Sequence, residues 1–165
     1  MILNSKFLFI LALLGAMTFM SCGDDDDDLA SSTFNYEFNT GGFAYVGNHP
    51  TDLGAQIKVD ELANGNSRIT ISIMNTIDGE TYPTHAHDKK EPGADMLPYD
   101  QSPNSAVFAG AIAGNGGTAS MASESTMSYE EITTNYEGFF VVHDPLQDVN
   151  TADPTTYVIL GDFAR

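Results

Sequence analysis

Basic side chains are scarce in this chain: 6 Lys and Arg stand against 23 Asp and Glu, a formal charge of -17. So acidic a surface repels phosphate backbones, which argues against nucleic acid as a partner and in favour of cations. Cysteine occurs once, at Cys22, so no disulfide can form within the chain. No apolar run reaches the roughly 20 residues that a spanning helix needs. The catalytic signatures of common enzyme classes are also missing. No Gly-x-Ser-x-Gly element sets a serine on an exposed elbow, which disfavours a hydrolase. Gly114-Asn115-Gly116-Gly117 opens no helix and is followed by no lysine, so it reads as a turn and not as a phosphate cradle.

At the start of the chain, Lys6 and the largely apolar run Phe7 to Met20 have the charged start and short hydrophobic region of a secretory signal. The run ends in Phe19-Met20-Ser21-Cys22-Gly23. This resembles a lipobox, in the loose form of Bacteroidetes lipoproteins where Ser or Ala precedes the modified Cys. The resemblance implies removal of residues 1–21 and lipidation of Cys22, making the membrane a partner through that anchor. The competing reading is an ordinary cleaved signal with an incidental cysteine. Asp24 to Asp28 follow at once, and five like charges in a row repel one another and stay solvated. The run reads as a spacer, and it also resembles the acidic address that sends such lipoproteins to the outer face of the outer membrane. Residues 22–32 are thus expected to be a tether, with Leu29 to Thr33 a short polar linker, and residues 33–165 one domain. The expected location is the outer membrane, lipid-anchored, at the cell surface in preference to the periplasmic side.

Within the domain, alternation dominates. Phe34, Tyr36 and Phe38 share one face of a half-buried strand. Gly41-Gly42 turns the chain into an expected second strand, Phe43 to Val46. Gln56 to Leu62 and Arg68 to Met74 alternate around Ala63-Asn64-Gly65-Asn66, whose Asn-Gly pair favours a tight hairpin. Tyr82 to His87 is a weaker strand, and Asp88 to Pro103, charged and bearing prolines, reads as a long loop. Ala106 to Ile112 and Thr118 to Ala122 look like another hairpin. Ser128-Tyr129-Glu130-Glu131 has capping-box spacing and predicts one helical turn. Phe139 to His143 and Thr156 to Phe163 are the most apolar late segments and read as central or near-central strands. Seven or eight short strands with almost no helix predict an all-β, antiparallel Greek-key sandwich or barrel.

Only four histidines are present: His49, His85, His87 and His143. His85 and His87 stand at i and i+2, which on a strand puts both imidazoles on one face, close enough to share an ion. His143 ends a strand, and its neighbour Asp144 is placed to orient a ring by hydrogen bonding. Three converging imidazoles suit copper or zinc. His49 lies in a turn and stands only as a candidate fourth ligand. The competing reading makes all of them ordinary polar residues at strand ends.

The order Tyr82-Pro83-Thr84-His85-Ala86-His87, Ser128-Tyr129-Glu130-Glu131, Gly138-Phe139-Phe140-Val141-Val142-His143 and Leu160-Gly161-Asp162-Phe163 resembles the CHRD-like lipoproteins of Bacteroidetes. That family is similar in turn to copper/zinc superoxide dismutase, an eight-stranded Greek-key sandwich. The resemblance implies that His85, His87 and His143 stand where the dismutases hold copper. The departures concern activity. No histidine lies between His87 and His143, no cysteine is left for the dismutase disulfide, and no arginine lies between His143 and Phe163. The expectation is therefore a binding or structural module able to hold one metal ion, its extracellular partner unspecified. A copper-only dismutase-like enzyme is the alternative.

Overall fold

The computed structural model describes residues 28–39, 41, 43–91, 93 and 96–165. The signal segment 1–21, Cys22 and Asp24 to Asp27 lie outside the described residues. Two antiparallel sheets face each other across one apolar interior, the all-β sandwich expected from the alternation. In chain order the strands are β1 (Ser31–Glu37), β2 (Gly54–Glu61), β3 (Ser67–Met74), β4 (Thr81–Lys89), β5 (Tyr99–Pro103), β6 (Ala109–Ala113), β7 (Ala119–Ser125), β8 (Gly138–His143) and β9 (Tyr157–Asp162). The first sheet runs β1-β2-β3-β7 and the second β5-β4-β8-β9, with β6 also paired to β4.

The β2–β3 hairpin forms where the Asn-Gly pair predicts it. Gly65 has φ 85°, and nothing stands where its Cβ would be, so the backbone conformation and not space selects glycine here. On the returning strand Ile69, Ile71 and Ile73 are fully buried. They meet Phe140 and Val142 of β8 in the interior. Tyr36 closes the seam between the sheets: its hydroxyl donates to the Asp162 carbonyl at 2.8 Å and accepts from the Ala164 N–H at 2.9 Å. The capping box also forms reciprocally, Ser128 N–H donating to Glu131 Oε2 (2.9 Å) and Glu131 N–H to Ser128 Oγ (3.2 Å). The turn it starts, Glu131–Asn135, has π-type winding. Its open carbonyls at Thr133 and Thr134 are taken up by the Arg165 guanidinium.

Several expectations are corrected. Phe43 to Val46 is not a strand: Val46 N–H bonds the Thr155 carbonyl at 2.7 Å, and Phe43 lies over the outer face of the second sheet. The expected loop 88–103 ends in β5, which pairs with β4 at His87↔Pro103 and Lys89↔Tyr99. β6 and β7 do not form a hairpin, because β6 pairs with β4 in one sheet and β7 with β3 in the other. The glycine segment between them crosses between sheets, and a Cβ on Gly114 would sit 2.3 Å from the Ile77 carbonyl oxygen. β9 is an edge strand, not a central one. It is apolar because both its faces are covered, and Asn39 N–H bonds the Val158 carbonyl on its free side. β1 starts at Ser31, taking in Ser31 to Thr33 from the expected linker.

Candidate metal centre

Alternation along β4 divides its side chains between two environments. Tyr82 and Ala86 enter the main interior, while His85 and His87 point to the outer face of the second sheet. The β4–β8 register sets His85 opposite Val141, and His143 lies two residues further along that same face. A β-bulge in β9 then shifts the pairing: Val142 faces Ile159, but His143 faces Tyr157. The extra residue is Val158, which turns inward and brings Tyr157 out beside His143. A second apolar cluster, formed by Leu97, Tyr99, Val141, Tyr157 and Leu160, covers the site from outside.

His85, His87 and His143 come together, with one ligand nitrogen from each lying within 4.8 Å of the others. His85 Nε2 and His143 Nε2 are 2.9 Å apart. An ion held at 2.0 to 2.1 Å by both would see them at an angle of about 90°, and the third nitrogen has to close in by about an ångström to join them. His87 and His143 are 0% and 1% exposed, whereas His85 is half-buried. His87 Nδ1 lies 2.7 Å from the Asp100 carbonyl, so it carries the proton and donates it. His143 Nδ1 is unpartnered on the ring edge away from its Nε2 contact with His85, and His87 Nε2 is left as a lone pair, buried and without a partner among the described residues. Buried nitrogens of this kind are costly unless something fills the vacant bond. The chemistry of the donor set therefore fits a metal ion.

The cluster is also held neutral. Burial, then the charge of His87, pushes His85 down to about 4. Burial, then His85 and His87, pushes His143 down to about 3. Burial lowers His87 as well, against the opposing Asp100 carbonyl bond. Neutral imidazole is the form that ligates. These shifts also fix the sign of a stability effect in the metal-free protein. Between the ordinary histidine value of 6.5 and about 4, the unfolded chain takes up protons that the folded cluster refuses. Stability contributed by the cluster is complete above 6.5 and is lost as pH falls through that window. Urea midpoints measured from pH 7.5 to 4.5 should fall more steeply in the wild type than in His143→Gln. Parallel curves would remove the effect.

His49 stands apart from the three. It is buried, its Nδ1 lies 2.8 Å from the Pro50 carbonyl, and its Nε2 accepts from the Tyr82 hydroxyl at 2.9 Å. Both ring nitrogens are thus engaged on the inner side of β4, and none remains for the ion. Asp144 does not orient a histidine either: its carboxylate takes the Tyr45 hydroxyl (2.6 Å), the Gln147 amide and the Leu146 N–H. It pins the 43–50 segment instead. Tyr99 and Tyr157, which wall the site, carry no alternation signal that marks them, since one lies in the expected loop and the other depends on the bulge.

The chain matches no family model, no curated protein and no solved structure.

Proposed function

We propose that this protein binds one metal ion through His85, His87 and His143 and works as a binding module, not as an enzyme. The observation that carries the reading is the buried His87 Nε2, forced into its lone-pair form by the Asp100 carbonyl and left without a partner beside two further imidazoles. Three neutral nitrogens with no thiolate or carboxylate among them suit copper or zinc better than magnesium or calcium. Lys6, the apolar run to Met20, Cys22 and the aspartates after it support an exported lipoprotein, anchored at Cys22 in the outer membrane and facing the cell surface. The strong acidity favours cations over nucleic acid.

The runner-up, a copper-only dismutase-like enzyme, draws on the same three histidines. The lack of an arginine between His143 and Phe163, and a surface that repels anions, weigh against it. Calorimetric titration of the purified protein with copper and with zinc tests the main reading, which expects one ion per chain. A flat titration with both metals overturns it. The copper-loaded protein should then remove superoxide no faster than the same copper free in solution. Faster decay would transfer the assignment to the enzyme.

A further inference from the structure

His143, like His85, has no hydrogen-bond partner for its ring outside the cluster among the described residues. Apart from the His85 contact, its ring makes no hydrogen bond, and its Nδ1 is buried without a partner. What holds the ring is packing. Tyr157 stands edge-on to it with centroids 4.5 Å apart, and on the other side of the site Tyr99 lies 5.4 Å from the ring of His87. Both tyrosines are fully buried. Their hydroxyls are 3.3 Å apart, and that of Tyr99 is also 3.3 Å from the Thr151 carbonyl. A phenol has one proton to give, so when Tyr99 donates to Thr151 it accepts from Tyr157.

Phenylalanine would fill the same space without the cost of burying a hydroxyl. Burial raises the Tyr157 phenol well above its ordinary range, and the bond to Tyr99 adds to this, so Tyr157 stays protonated. The link also joins two separately placed elements. Tyr99 comes from β5, which carries the Asp100 carbonyl that fixes His87, and Tyr157 comes from the bulged start of β9.

We infer that Tyr99 and Tyr157 are positioning residues for the metal centre: their hydroxyl link clamps the His87 and His143 rings in one relative orientation. The inference rests on the metal-binding reading for its ligand, but the clamp acts on the rings whether or not an ion is bound. It gives the site a fixed angle between ligands contributed by two strands, adding a directional link to the packing that holds His143.

The test uses Tyr99→Phe, Tyr157→Phe and the double variant, each keeping the ring and losing a hydroxyl. Each single change should weaken zinc and copper(II) affinity by about tenfold, as loss of an outer partner of a metal ligand does. The double variant should bind no worse than either single one, because the same link is broken each time. Spin-resonance lines of bound copper(II) should broaden as the imidazole angles spread. In the metal-free protein, nitrogen-correlated NMR should show the His143 ring signals shifting and averaging. Wild-type affinity together with unchanged histidine signals overturns the clamp. If the wild type takes up no ion, the metal reading fails by itself, and the clamp is then decided by the metal-free spectra: altered His143 signals support it and unaltered ones overturn it.

Discussion

Changing His85 and His87 together to alanine should abolish stoichiometric metal binding, weakening it by at least about a thousandfold. Loss of an outer hydrogen-bond partner alone costs about 10- to 100-fold, and this variant removes two of the three ligating nitrogens themselves. The remaining imidazole, His143, offers a single ligating nitrogen. The fold should survive. His85 is half-buried on the outer face, and the buried His87 ring carries an unsatisfied nitrogen whose removal offsets part of the lost packing. Near-ultraviolet circular dichroism checks that the tyrosine environment persists, and calorimetry reads the binding. Retained tight binding would show that the ion sits elsewhere.

Phe140→Ala should have the largest effect on stability. Phe140 is fully buried in β8, on the face opposite the histidines, with its ring 4.8 Å from that of Tyr36 and 6.2 Å from that of Phe163. Emptying such a position costs about 3 to 5 kcal/mol, from lost transfer energy and the cavity left behind. Against a typical total of about 5 to 15 kcal/mol, this moves the urea midpoint far down and leaves a substantial unfolded fraction at moderate temperature. The loss should be largely independent of the pH effect seen with His143, because the two residues face opposite sides of the sheet. A loss below about 1 kcal/mol would mean that the interior collapses into the gap, contrary to a close-packed core.

Much of the fold is legible in the sequence because a strand with one buried face writes its period directly into the residue order. Ile69, Ile71 and Ile73 with the Asn64-Gly65 turn, and Phe140 with Val142, are where they should be. The histidine cluster is legible for the same reason, since i and i+2 on β4 share a face. Pairing partners beyond the β2–β3 hairpin are not legible. Ala109 to Ala113 and Ala119 to Ser125 look like a hairpin, because local spacing cannot tell a turn within one sheet from a crossing between two. β9 reads as central because its two covered faces give the same apolar run as a central strand. The second cluster over the site was invisible because it depends on a bulge, which shifts a side chain from one face to the other without leaving a mark on the period. His49 and Asp144 show the reverse limit: their residue types suit a metal site, and their hydrogen bonds commit them elsewhere.

β4 changes partners along one of its edges. Thr81 to His85 pair with β6, while His87 and Lys89 pair with β5. The seam between the two partners falls between the paired histidines, so each is backed by a different length of chain. β5 is short, lies at the margin of its sheet and meets β4 at only two paired positions, which makes it a segment that can peel away at far less cost than unfolding the whole sandwich. Such an excursion carries off the Asp100 carbonyl and the Tyr99 ring while His85 stays locked against β6 and β8. The centre therefore straddles the junction of two partner strands, and the carbonyl that sets the His87 ring sits on the shorter and more marginal of them.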